Sequence, residues 1–151
     1  MSSETTPIDD TEPYNLRRFV EAQEGVYTVA LAELQRGQKR THWMWFIFPQ
    51  ITGLGHSAMS KRYAIENREE AEQYLRHPIL GKRLIACAEA VLHTQGRSAS
   101  QIFGSPDDVK LKSCMTLFAS LPDATPVFSQ VIDKYFQGKR DTRTLQLLEN
   151  L

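Results

Sequence analysis

The longest apolar run in the chain comprises six consecutive large side chains, residues 43–48. Burial of each contributes roughly 1.5–3 kcal/mol, so the fold has to cover the run. Periodicity does not separate helix from strand here, because every position is apolar. No other segment resembles a partner strand, and Pro49 disfavours helical geometry in the residue before it. The pattern therefore predicts a central helix that has Thr41 as its N-cap and ends near Phe48.

The rest of the chain consists of amphipathic segments separated by strong helix boundaries. Apolar residues recur at helical spacing, and small polar residues or prolines precede them while glycine follows several of them. Residues 67–70 have a capping-box pattern. We predict an all-α, single compact globular domain of about eight short-to-medium helices around the Trp-rich central helix. N-caps are predicted at Asn15, Ser57, Asn67, Ser98, Ser105, Thr125 and Asp141.

Charge is balanced overall, with 18 basic and 18 acidic residues, but residues 1–13 hold four acids and no Lys or Arg. This segment is predicted to be a flexible acidic N-terminal arm that precedes a domain of residues 14–151. The remaining charge is too weakly basic for a nucleic-acid-binding domain, and no apolar run approaches the roughly 20 residues of a membrane span. We expect a cytoplasmic monomer or homodimer without a nucleic-acid or membrane partner.

The chain has none of the common catalytic or cofactor motifs. Walker, Rossmann, zinc-protease, nucleophile-elbow and zinc-finger patterns are all missing from the sequence. Its two cysteines, Cys87 and Cys114, are far apart and are expected to be reduced and buried. We therefore expect no cofactor and no metal, and the sequence leaves open whether the protein is an enzyme.

The strongest candidate site lies around the central run. His42 beside two tryptophans could act as an acid–base group or ligand clamp, and Gln50 could orient a ligand. Glycines in the loop of residues 50–56 permit close approach of the backbone, and Arg62 could bind a carboxylate or phosphate. These features predict a small-molecule pocket, for example for an anionic metabolite or nucleotide. The predicted ligand-binding residues are His42, Trp45, Gln50, Arg62 and Tyr63.

Each of these features also has a purely structural explanation. His42 could bond a neighbouring carbonyl at the end of a helix, and Arg62 could be a surface residue after a turn. Asp107 and Asp108 fit the first turn of a helix better than a metal site or an acid–base pair. The alternative function is a non-catalytic helical protein-interaction module. An open polar-rimmed cleft beside the tryptophans would favour the pocket, whereas a closed core with an apolar surface patch elsewhere would favour the module.

Six segments have a distinctive sequence: residues 42–50, 53–55, 63–65, 75–84, 102–110 and 115–118. Together they resemble the domain of unknown function 1810 family over roughly residues 14–148, with Cys114 where a serine is expected. The resemblance implies a small, all-helical, mostly bacterial cytosolic protein with no assigned activity, so it brings no catalytic residues. Some members are labelled calpastatin-like. This chain gives that label no support, because an inhibitor of that type is disordered and poor in core residues.

Overall fold

Ten helices follow one another in residues 14–150, the part of the chain that the computed structural model describes. No strand occurs in this part, and a single parallel bridge joins Ile51 to Ile65. The all-α prediction is confirmed, with ten helices instead of about eight, and the predicted acidic arm lies outside the described residues. The helices are α1 (Arg17–Gln23), α2 (Tyr27–Gln35), α3 (Met44–Ile47), α4 (Ala58–Arg62), α5 (Arg68–Arg76), α6 (Leu80–His93), α7 (Ala99–Phe103), α8 (Asp107–Ala119), α9 (Val127–Phe136) and α10 (Thr142–Glu149).

Helix α8 is the element that runs through the core. It packs against α5, α7, α9 and α10, and all of its residues from 113 to 118 are buried. Phe118 lies between the rings of Tyr74 and Phe128, at centroid distances of 5.6 and 5.7 Å. Aromatic pairs at such distances add roughly 0.5–1.5 kcal/mol beyond the burial of their area. A side chain on α8 therefore joins α5 to α9.

The run of residues 43–48 forms one helical turn, α3, instead of the predicted helix from Thr41 to Phe48. Thr41 does not cap this turn, because its hydroxyl donates a hydrogen bond of 2.7 Å to Glu33 on α2. The indole N–H of Trp43 donates to the same carboxylate at 2.9 Å. The run is buried as predicted except at Trp45, which is partly exposed. The predicted central helix is thus shortened, because α2 holds the residues before it.

Local capping signals predicted some helix starts and not others. Side-chain caps are confirmed at Ser57, Asn67, Ser98 and Asp141. The caps predicted at Asn15, Ser105 and Thr125 are wrong. Asn15 has a left-handed φ of 51°, and α1 begins two residues later. The prolines that follow Ser105 and Thr125 occupy the cap positions themselves, and no side chain caps those helices.

Both cysteines are buried and free, so we expect them to be chemically inert in the folded protein. Burial raises the pKa of Cys87 to about 12 and that of Cys114 well above its ordinary value. Because the thiolate is the reactive form, neither should react with the thiol reagent DTNB at neutral pH, whereas both should react in denaturant. Counting released thionitrobenzoate checks this. Rapid reaction of DTNB with the folded protein would contradict this expectation, because it would show that Cys87 or Cys114 is accessible to solvent.

Candidate functional site

A crevice opens beside Trp45, between the loop after α3 and helix α4. It encloses about 30 Å³ and is lined by Trp45, Gln50, Ser60 and Tyr63 together with residues 51–53. A wider groove of about 530 Å³ lies next to it, where Arg18, Arg62 and Glu66 contribute to the walls. Thr52, Lys61 and Ala64 line both spaces. The crevice and the groove are therefore parts of one depression, called the α4 groove below.

Backbone hydrogen bonds hold the loop against the residues that follow α4. The N–H of Thr52 donates to the carbonyl of Ile65, and the N–H of Ile65 donates to the carbonyl of Gln50, both at 2.8 Å. Gly53 has a φ of +100°, and a Cβ there would lie 3.1 Å from Leu147 on α10. Glycine suits this position because it adopts positive φ and leaves the room that the close approach needs. The crevice is thus part of the fixed backbone structure.

Arg18 ties α1 to the far side of the groove. Its guanidinium donates to the carbonyl oxygens of Arg62 and Ala64 at 2.8 Å each, and pairs with the buried carboxylate of Glu70 at 3.0 Å. Burial raises the pKa of Glu70 even though hydrogen bonds from the backbone of Glu66 and from Arg18 favour its charged form. The Arg18 guanidinium is thus occupied by the protein itself and acts as a structural part of the groove.

Five other side chains of the groove have polar groups without a hydrogen bond or ion pair to any described residue. No hydrogen bond or ion pair within residues 14–150 involves the indole N–H of Trp45, the Gln50 amide, the Tyr63 hydroxyl, or the charged groups of Lys61 and Arg62. Tyr63 is only 7% exposed. A buried hydroxyl without a partner costs free energy, and such a group usually bonds water or a ligand. These five groups are therefore available to a bound molecule.

Aromatic packing holds the Tyr63 ring, and a cation lies over the ring of Trp45. The centroid of the Tyr63 ring lies 5.7 Å from that of Phe19 and 5.4 Å from that of Phe46. The Arg62 guanidinium lies 5.5 Å from the centroid of the Tyr63 ring. On Trp45, the Lys110 ammonium lies 5.7 Å from the ring centroid. Contacts of this kind restrict the rings, so less side-chain entropy is lost when a ligand binds.

Glu33 positions the stretch that leads into α3. Besides Thr41 and Trp43, its carboxylate accepts a hydrogen bond of 2.8 Å from the backbone N–H of Arg40. Burial alone would raise the pKa of Glu33, but these hydrogen bonds outweigh it and lower the pKa from 4.5 to about 2. Because the carboxylate stays ionised, α2 holds the residues immediately before Trp45 in a defined place.

The structure brings four of the five predicted site residues together. Trp45, Gln50 and Tyr63 line the crevice, and Arg62 lines the adjoining groove. His42 lines neither space and is exposed. Its two neighbours in the chain, Thr41 and Trp43, both bond Glu33 on α2, which does not line the groove. The site prediction omitted Lys61, whose position next to Arg62 was the signal that could have included it.

Residues 14–150 contain no group of three or more His, Cys, Asp or Glu side chains placed to hold a metal ion. Within the same range, no helix combines the length and the apolar character needed to cross a bilayer. The described residues that line the α4 groove include cationic, hydrogen-bonding and aromatic side chains.

The fold and the groove define a small all-helical protein with a cationic, aromatic-walled depression. The chain belongs to the family described as protein of unknown function (DUF1810), which matches residues 13–148. It is similar to the conserved hypothetical protein Rv1873 from Mycobacterium tuberculosis, whose crystal structure it matches with a TM-score of 0.90 and 51% sequence identity. The match covers 91% of this chain and 99% of that protein. No curated protein matches the chain.

Proposed function

We propose that the protein binds a small anionic molecule in the α4 groove. The observation that carries this proposal is the convergence of five side chains whose polar groups have no partner within residues 14–150. Ligand sites typically combine apolar and aromatic walls with a few such polar groups in a space of roughly 300–1,000 Å³. At about 530 Å³, the wider part of the groove falls within that range.

The charges of the groove favour an anion. Lys61 and Arg62 are exposed, adjacent in sequence, and not paired with any acid of the described residues. Among the described residues that line the wider groove, Glu66 is the one with an acidic side chain. Charge-assisted hydrogen bonds from Arg and Lys to carboxylate or phosphate are about twice as strong as neutral ones. The two cations would therefore hold the charged end of the ligand.

The proposal concerns binding and includes no chemical step. His42, which the sequence analysis considered as an acid–base group, lies outside the groove. A protein-docking role has weaker support. The large apolar side chains that are exposed within residues 14–150 are Val29 on α2, Ile79 just before α6 and Val109 on α8, and no helix carries two of them. An interaction surface would be expected to group such side chains into one patch.

Replacing Arg62 with Gln tests the proposal. Because a hydrogen bond to a charged group contributes about 1.5–3 kcal/mol, we expect the affinity for inorganic phosphate to fall by about tenfold or more. Isothermal titration calorimetry gives the dissociation constant of phosphate for the unmodified full chain and for Arg62→Gln. Circular dichroism should show an unchanged helix content, since the Arg62 side chain makes no hydrogen bond within the described residues.

Arg140→Gln is the matched control, because it removes the same charge from an exposed residue outside the groove. This variant should bind phosphate as the unmodified protein does. Phosphate stabilises proteins in general by exclusion from their surface, so a raised melting temperature alone would not suffice. Equal binding by both variants, or no binding by the unmodified protein, would refute the proposal.

A further inference from the structure

We infer that the ligand of the α4 groove is a phosphate monoester whose other end is a slim, acyclic, hydroxyl-bearing chain. This inference rests on the proposed function and adds the chemical class of the ligand. It excludes the base of a nucleotide, a ligand class that the sequence alone left as a candidate, from the crevice beside Trp45. Three features support it: the charge of Lys61 and Arg62, the size of the crevice, and the polar side chains that line the crevice.

The charged end favours phosphate over carboxylate. Lys61 and Arg62 supply two positive charges that no acid of the described residues neutralises by an ion pair. A phosphate monoester carries about −1.5 to −2 charges at pH 7 and has three acceptor oxygens, whereas a carboxylate carries one charge and two oxygens. Two adjacent cations, one of them a guanidinium with several donors, match the phosphate better.

The crevice is too small for a ring. Its volume is about 30 Å³. By the same kind of measure, one water needs roughly 10–15 Å³, and a cavity that accommodates benzene has about 150 Å³. A hydroxymethyl group or a similar slim end therefore fits, and a nucleobase does not. The presence of Trp45 and Tyr63 in the walls would by itself have suggested stacking of a base, but the space between the walls does not allow it.

The polar groups of the crevice match hydroxyls. The indole N–H of Trp45 is a donor, the Gln50 amide offers both donors and an acceptor, and the Tyr63 hydroxyl can do either. A hydroxyl group also donates and accepts, so it can satisfy groups of both kinds. An alkyl chain would leave all three unsatisfied in a confined space, which costs free energy. Thr52 and Lys61 line both parts of the depression, so the crevice adjoins the part that would hold the phosphate.

Calorimetric titrations of the full chain with four probes test the inference: inorganic phosphate, glycerol 3-phosphate, phenyl phosphate and AMP. We expect glycerol 3-phosphate to bind about tenfold more tightly than inorganic phosphate, the gain of a well-made hydrogen bond in the crevice. Phenyl phosphate and AMP should bind no more tightly than inorganic phosphate, because their rings do not enter the crevice and therefore gain none of its hydrogen bonds. Phenyl phosphate or AMP binding as tightly as glycerol 3-phosphate would overturn the inference.

The variant Gln50→Leu separates the crevice from the cationic end. It should reduce the affinity for glycerol 3-phosphate to that for inorganic phosphate and leave the latter unchanged. Trp45→Phe, which removes the indole N–H, gives a second and independent test with the same expectation. If all four probes bind equally and all are weakened by Arg62→Gln, the proposed function stands and the inference about the chain fails. If no probe binds, both fail.

Discussion

Replacement of Gly81 with Ala should destabilise the protein by at least about 3 kcal/mol. Gly81 lies in α6, and a Cβ built there would be 2.0 Å from the carbonyl oxygen and 2.9 Å from the carbonyl carbon of Leu75 on α5. Relief of so short a contact requires one helix backbone to move. The intrinsic preference of helices for Ala over Gly contributes only about 1 kcal/mol in the opposite direction, so the steric clash dominates.

Thermal unfolding followed by circular dichroism measures this effect. For a chain of this size, about 3 kcal/mol corresponds to a fall in melting temperature of roughly 6–12 °C. Gly25→Ala is a useful comparison, because Gly25 has a φ of +71° and a Cβ added there would have no other atom within 4 Å. That change should cost about 1 kcal/mol through backbone strain alone. Equal effects of the two changes would mean that α5 and α6 do not approach as described.

Replacement of Glu33 with Gln should destabilise the protein by about 2–3 kcal/mol at pH 7. Glu33 is 5% exposed, and its carboxylate accepts hydrogen bonds from residues 40, 41 and 43. A neutral amide accepts weaker hydrogen bonds and places an N–H group where one carboxylate oxygen now accepts. Chemical denaturation at pH 7 gives the free energies of unfolding. Glu89→Gln, on the exposed face of α6, is the control and should be nearly neutral.

The same residue makes stability depend on acidity. The pKa of Glu33 in the folded protein is about 2, against an ordinary value of 4.5. Because the pKa is lowered on folding, the stabilisation of the folded state by the Glu33 carboxylate is complete above about pH 4.5 and is lost as the pH falls towards 2. The difference in pKa corresponds to about 3 kcal/mol. The gap between the unmodified protein and Glu33→Gln should therefore narrow over this interval, and a gap independent of pH would contradict an ionised, hydrogen-bonded Glu33.

Features that depend on neighbouring residues could be predicted from the sequence. The predicted N-caps at Asn67 and Ser98 form because each cap and the N–H group that it binds lie within one turn, and burial of residues 43–48, apart from Trp45, follows from their composition. The loop glycines and Arg62 are candidates from sequence alone because glycine and arginine have distinctive chemistry. Four of the predicted site residues consequently line the same depression.

Features that depend on distant residues could not be predicted in the same way. In the sequence, nothing distinguishes Glu33 from any other acidic residue of a helix. Its hydrogen bond from Trp43 holds the segment that contains His42 against α2, and the central helix is shorter than predicted. Arg18 reaches the carbonyls of Arg62 and Ala64, which are 44 and 46 positions away. No periodic pattern records such pairings, because many polar positions in the chain would be equally compatible with them.

Titration of the isotope-labelled protein with glycerol 3-phosphate, followed by NMR spectroscopy, tests the central claim most directly. Trp45 and Gln50 line the proposed site, whereas the indole N–H of Trp43 already donates to Glu33 at 2.9 Å. We predict that the Trp45 and Gln50 signals shift with saturation while the Trp43 indole signal does not. If the Trp45 and Gln50 signals stay in place, or if the shifting signals come from residues remote from α4, the α4 groove is not the binding site.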